Sequence, residues 1–95
     1  MQALDGELLI GGERLAHLSC ELDEDRCTGR AHEWRLAGRL TLSTEEQSLL
    51  VLERVYRLQL ADGRAGQIVV THFATGNSHA VVAEFHHSAS VRRPK

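Results

Sequence analysis

Residues 56–87, YRLQLADGRAGQIVVTHFATGNSHAVVAEFHH, decide the fold of this 95-residue chain, because they contain three runs of strand-forming residues separated by two turn signals. The turn signals are Asp62 with Gly63 and Gly76 with Asn77. Each pair contains residues that adopt positive φ at little cost, which is typical of hairpin loops. The stretch therefore predicts a meander of three antiparallel strands.

Side-chain alternation selects the register of the first of these hairpins. A three-residue loop with a glycine bulge places Tyr56 opposite Ile68, so that the apolar side chains share one face. A two-residue loop would place Tyr56 opposite Val69 instead. Because a one-residue slip exchanges the buried and solvated faces, we favour the bulged loop.

The second hairpin is predicted to have a two-residue turn at 76–77, which pairs Val70 with Ala83 and continues the same apolar face. In this register His72 and His79 lie on that face, close to the turn. They are diagonal neighbours, and long side chains at such positions reach each other.

The N-terminal part of the chain predicts another hairpin. Residues 4–10 and 13–22 are strand-like, and Gly11 and Gly12 between them suit a tight turn. The first strand contains LLI at residues 8–10, so both of its faces are apolar there. Such a strand is either covered on both sides or lies at an interface.

Residues 34–42 alternate apolar and polar side chains with a period of two, which predicts a third strand with one buried face. Gly38 falls in the middle of the apolar face. A glycine at such a position indicates a sharp bend, as in a closing barrel, or the close approach of another backbone. The preceding polar residues 23–29 are interpreted as a loop.

Residues 43–47, STEEQ, contain two overlapping capping-box spacings, the first from Ser43 to Glu46, and predict the start of a short helix. From Val51 onward the residues favour a strand that leads to the turn at Asp62. A helix that continues through residue 55 is the main alternative.

These elements predict one mainly β domain over residues 1–89. About six strands, with one short helix between strands 3 and 4, form a small antiparallel β-barrel or a strongly curved sheet. Closure into a barrel would remove exposed sheet edges. Residues 90–95 are polar and basic, and we expect them to form a disordered tail.

Composition narrows the classes of partner. The formal charge is −2 and only four residues are aromatic, which argues against nucleic acid as a partner. No segment has the roughly 18 consecutive apolar residues of a membrane span, and the start of the chain does not resemble a signal peptide. We therefore expect a cytoplasmic protein without a membrane partner, in which Cys20 and Cys27 are reduced thiols.

Two groups of side chains have the chemistry of metal ligands. They are His72, His79, His86 and His87, and His17, Cys20, Cys27 and His32. His86 and His87 point to opposite faces of a strand, and so do His17 and Cys20, which are three residues apart. We therefore predict no metal site, no cofactor and no enzymatic activity.

The functional hypothesis is a non-enzymatic β-barrel module that binds a protein partner or assembles with itself. Its basis is the doubly apolar strand together with a second apolar face, formed by Val69, Phe73 and Val82, because an uncovered apolar patch favours association. The alternative is a regulatory barrel that binds an anionic small molecule or nucleic acid at one mouth. The candidate contact residues are Arg35, Arg39, His72 and His79. Arginine is included because its guanidinium group recognises carboxylate and phosphate by paired hydrogen bonds.

Overall fold

The structure, a computed structural model, describes residues 3–30, 33–75 and 80–88. Within these ranges it contains eight strands, one α-helix and one 3₁₀ turn. In chain order they are β1 (Ala3–Ile10), β2 (Glu13–Leu22), the 3₁₀ turn (Glu24–Arg26), β3 (Thr28–Arg30), β4 (Glu33–Arg35), β5 (Gly38–Leu42), α1 (Thr44–Gln47), β6 (Val55–Leu60), β7 (Ala65–Thr75) and β8 (Val81–His87). The predicted tail, residues 90–95, lies outside the described residues.

Six of the strands close into an antiparallel barrel in the order β1-β2-β5-β8-β7-β6, with β6 paired to β1. The sequence prediction of a small antiparallel barrel is confirmed. The helix α1 lies between β5 and β6, which are the third and fourth barrel strands along the chain. The barrel interior is filled by alternate side chains of its strands. Those with no exposed surface include Leu8, Cys20, Leu40, Leu58, Ile68, Val70 and Ala83.

The predicted hairpins β1–β2 and β6–β7 are confirmed. Gly11 and Gly12 join β1 to β2 with φ values of 60° and 85°, which glycine adopts without steric cost. Between β6 and β7, Tyr56 pairs with Ile68 as the bulged loop requires. In that loop Gly63 has a φ of 100°.

The predicted register of the β7–β8 hairpin is wrong. Val70 pairs with Phe85 rather than with Ala83. The predicted turn at 76–77 lies outside the described residues. The pairing is already shifted near the turn, because Thr75 pairs with Val81, whereas a two-residue turn at 76–77 would pair residue 75 with residue 78. A β-bulge then changes the offset by one residue, since successive β8 residues pair with Val70 and His72 and leave Thr71 as an extra residue. Beyond the bulge the alternation is reversed, and His72 is turned outward.

The predicted third strand is divided in two. The chain leaves the sheet at residues 36–37, so that β4 pairs with β3 in a separate two-stranded sheet and β5 enters the barrel at Gly38. Gly38 provides the predicted close approach, because a Cβ atom there would lie 2.1 Å from the Glu21 carbonyl oxygen. Residues 23–29, predicted as a loop, include the 3₁₀ turn and the start of β3.

The short helix has the predicted capping box. The Glu46 backbone N–H donates to Ser43 Oγ at 3.0 Å, and the Ser43 N–H donates to the Glu46 carboxylate at 2.9 Å. The helix ends at Gln47, and β6 begins at Val55. The alternative of a helix through residue 55 is therefore excluded, and the strand begins four residues later than the predicted start at Val51.

Candidate protein-interaction surface

The connection between β5 and β6 covers one end of the barrel. These two strands are three positions apart in either direction around the barrel, so residues 43–54 must pass across its end. Along this path Leu50 is buried and joins the core. The neighbouring aliphatic side chains point outward.

Five large aliphatic side chains are exposed at or beside this connection, and together they are called the aliphatic end. They are Ile10 (37% exposed), Leu49 (47%), Val51 (47%), Leu52 (45%) and Val55 (42%). Exposed aliphatic residues are ordinary when scattered singly, but a group of them is typical of a contact surface.

Hydrogen bonds hold the last part of the connection in a defined shape. The Val51 N–H donates to the Tyr56 hydroxyl at 2.8 Å, and the Glu53 N–H donates to the Val70 carbonyl at 2.9 Å. The Arg54 N–H closes a turn by donating to the Val51 carbonyl at 3.3 Å. Glu53 occupies this turn with a φ of 68°, a left-handed conformation that costs free energy for a residue with a side chain.

A groove of about 370 Å³ lies beside the aliphatic end and is called the β1–β6 groove. Its lining consists of Leu9, Ile10, Gly11, Gly12, Val55, Tyr56, Arg57, Gln59 and Gln67. Leu9 and Arg57 are opposite each other in adjacent strands. The two glycines have no side chains, so that the turn between β1 and β2 leaves the groove accessible.

The apolar face proposed from the sequence is only partly present. Leu8 is fully buried, while Leu9 is half-buried and Ile10 is exposed, so the LLI segment does contribute to a surface. Val69 on β7 is buried, however, and Phe73 packs against the core. The bulge at position 71 is the reason for the change at Phe73, because it reverses the alternation of the second half of β7.

The structure brings two of the candidate contact residues together. Arg39 on β5 and His72 on β7 are both exposed, and each pairs with Glu84 of the intervening strand β8. On the other side of Arg39, Glu21 of β2 is its paired residue, with an N–O distance of 3.7 Å between the charged groups. Acidic side chains therefore flank Arg39 on both sides. His79 lies outside the described residues.

Arg35 is exposed on β4 and is not part of this row. It lies close enough to His87, at the end of β8, to affect the protonation of that imidazole. Burial, followed by the positive charge of Arg35, lowers the pKa of His87. The three described candidates, Arg35, Arg39 and His72, thus do not form one cluster.

The described members of the mixed histidine and cysteine group do not converge either, and His32 lies outside the described residues. His17 is exposed on the barrel surface, whereas Cys20 is fully buried. The Cys27 thiol is engaged with Ala37, whose backbone N–H donates to Sγ at 3.5 Å. Among the residues that the structure describes, no three histidine, cysteine or acidic side chains are grouped as metal ligands.

A charged cluster at the other end of the barrel was not anticipated from the sequence. The Arg64 guanidinium contacts Glu24 Oε1 at 2.9 Å and Asp62 Oδ2 at 2.8 Å, and it lies 5.3 Å from the centre of the Trp34 ring. These contacts hold the pKa of Glu24 and of Asp62 below their ordinary values. The Asp62–Arg64 spacing was visible in the sequence, but nothing local indicated that Glu24 and Trp34 would join it. The cluster ties the β6–β7 loop to the 3₁₀ turn and β4.

Comparisons with protein-family models, with curated proteins and with solved structures find no match to this chain. In the described ranges, none of the helical structure has the length and apolar character needed to cross a membrane.

Proposed function

We propose that this chain is a non-enzymatic binding module in which the barrel is a scaffold and the aliphatic end contacts a protein partner. The observation that carries the proposal is the group of five large aliphatic side chains, each 37–47% exposed, at one end of the barrel. Contact with a partner would remove this apolar surface from water, which is the main favourable term in protein association. The adjoining groove would receive side chains of the partner.

The shape of the connection supports this assignment. Its turn is fixed by backbone hydrogen bonds to the barrel and contains the left-handed residue Glu53. A segment that is already ordered loses less conformational entropy when a partner binds, so more of the contact energy is available as affinity. Strained backbone is found preferentially at functional sites.

The arrangement of charges favours protein binding over the alternative of a regulatory barrel for anions. The barrel interior is filled with side chains, so an anionic ligand would have to bind the outer surface. There the Arg39 guanidinium lies between Glu21 and Glu84 in the strand pairing. These carboxylates repel an incoming anion and compete for the same donors.

Site-specific photo-crosslinking tests the proposal. A photoreactive amino acid at position 52, on the exposed turn, is expected to give a discrete protein adduct in cells that express the chain. The matched control carries the same group at position 25, which is exposed on the 3₁₀ turn at the opposite end of the barrel. Leu49→Glu should remove the adduct formed at position 52, because it places a charge within the contact.

Equal adducts from positions 52 and 25, or an adduct that survives Leu49→Glu, would contradict the proposal. The anion alternative is measured separately by melting temperature. A ligand that binds only the folded state raises the melting temperature. We expect inorganic phosphate and nucleotides to leave the melting temperature unchanged relative to chloride at the same ionic strength.

A further inference from the structure

We infer that the partner is a second copy of this chain, which docks about a two-fold axis so that the turn at residues 51–54 of each protomer enters the β1–β6 groove of the other. This inference rests on the proposed function, since it uses the aliphatic end as the contact. It goes further by identifying the partner and the pairs of residues that meet.

The shape of the surface suits a second copy of the chain. The exposed turn with Leu52 and the groove with Leu9 and Ile10 lie side by side, because Val55 borders both. A two-fold interface requires the same patch to provide both the projecting and the receiving element. This patch has both, so each protomer can supply the turn for the other's groove.

The charges at the border of the patch also suit a second copy. Glu13 follows the glycine turn that lines the groove and pairs with Ile10, while Arg54 ends the projecting turn. Both are exposed, and neither forms an ion pair with another residue in the described part of the chain. When the turn enters the groove of a second copy, Arg54 of one protomer approaches Glu13 of the other. The two-fold symmetry gives two such contacts in the dimer. A second copy is thus electrostatically complementary to the patch.

The net charge of the chain permits association of two copies, and the size of the patch sets the expected affinity. With a formal charge of −2, two copies repel each other only weakly. The aliphatic end and the groove together comprise about a dozen residues. A standard interface uses roughly 20–30 residues and about 800 Å² on each side. The patch is smaller, so we expect a dimer with a micromolar dissociation constant rather than an obligate one.

Charge reversal with mixing tests both the dimer and its geometry. Sedimentation velocity of the whole chain, from about 1 to about 200 µM, should show a monomer–dimer equilibrium. Glu13→Arg and Arg54→Glu should each raise the dissociation constant at least tenfold, because each variant's own dimer contains two like-charge contacts. Asp25→Arg, a matched reversal of charge at the opposite end, should leave the dissociation constant within about threefold of the wild type.

A one-to-one mixture of Glu13→Arg and Arg54→Glu should restore dimers. In that heterodimer the two substituted side chains, which carry opposite charges, face each other at one contact. The native Arg54 of the first variant and the native Glu13 of the second face each other at the other contact. A contact within one chain cannot be restored by mixing. Circular dichroism at the start of each run establishes that both variants are folded.

Two results would overturn the inference in different ways. A wild-type chain that remains monomeric throughout the concentration range excludes the second copy as partner, while an adduct of position 52 with a different protein would leave the proposed function intact. A wild-type dimer with two folded variants that do not recover on mixing excludes the pairing of Arg54 with Glu13. Absence of any adduct from position 52 removes the proposed function itself.

Discussion

Replacement of Gly66 by alanine should strongly destabilise the fold, because β4 packs directly against β7 at this residue. A Cβ atom added at Gly66 would lie 2.0 Å from the Trp34 carbonyl oxygen and 3.0 Å from its carbonyl carbon. Nonbonded atoms normally stay about 3.5 Å apart, so β4 would have to move by more than about 1 Å. The Gly66 φ is not positive, so alanine meets no backbone strain there. The clash alone therefore sets the direction of the effect.

The magnitude follows from the cost of overpacking. Extra methyl groups in packed regions reduce the free energy of unfolding by about 1–3 kcal/mol. Because this contact is very close and involves backbone atoms, we expect a loss of about 3 kcal/mol. A domain of this length has roughly 5–14 kcal/mol of stability in total. The expected fall in melting temperature is about 15 °C.

Gly6→Ala is the matched control, because its Cβ would meet the Leu60 and Leu58 methyl groups at 3.2 and 3.3 Å. Side-chain methyl groups can shift, so the cost should stay below about 1 kcal/mol.

Trp34 makes this prediction easy to measure, since it is the only tryptophan and lies at the clash. Unfolding is followed by tryptophan fluorescence for β4 and by far-ultraviolet circular dichroism for the barrel. Gly66→Ala should also shift the emission of the folded state to longer wavelength, because the indole ring is displaced toward water. A melting temperature within about 3 °C of the wild type, or equal to that of Gly6→Ala, would refute the packing argument.

Three further predictions concern a charged cluster, a buried thiol and a strained turn. Arg64 lowers the pKa of Glu24 and Asp62, so the stability they contribute is complete above about pH 4.5 and is lost as the pH falls below it. Arg64→Met should therefore reduce the difference in melting temperature between pH 7 and pH 3, and an unchanged difference would contradict this. Burial raises the pKa of Cys20 from 9.0 to about 12, so above pH 9 the thiol ionises in the unfolded chain first and stability falls. Urea unfolding of Cys20→Ala should show a smaller loss of stability between pH 8 and pH 10.5, and a loss equal to that of the wild type would exclude this cause. Glu53→Gly should raise the free energy of unfolding in urea by up to about 1 kcal/mol, because glycine adopts a φ of 68° without strain. A decrease would show that the side chain itself stabilises the turn.

The barrel was predictable because its strands follow local rules. Alternation in residues 56–70 placed Tyr56 and Ile68 on the buried face, and the glycine bulge fixed their register. The two overlapping capping-box spacings, from Ser43 and from Thr44, located the start of the helix to within one residue. Each of these features depends on neighbours within a few positions in the chain, which a single sequence contains.

The errors arose where distant contacts outweigh the local pattern. Residues 34–42 alternate well enough for one strand, yet the chain bends after Arg35 so that β4 can pair with β3 and pack against Gly66 on β7. Likewise, nothing beside Thr71 marks it as a bulge, but pairing with β8 leaves it as an extra residue. Beyond such a bulge, strict alternation of side chains no longer predicts which face a residue occupies. The prediction for His72 was therefore wrong.

The candidate interaction surface depends on the order of strands in the barrel, which explains why the sequence did not locate it. The leucines at 49, 50 and 52 are compatible with a longer helix or with an earlier strand when they are considered alone. Because β5 and β6 lie on opposite sides of the closed barrel, this segment has to cross its end. Only Leu50 turns into the core, and Leu49 and Leu52 are left in water. The exposure of these side chains is thus a consequence of closure, and any partner that covers them recognises the closed barrel rather than an isolated peptide.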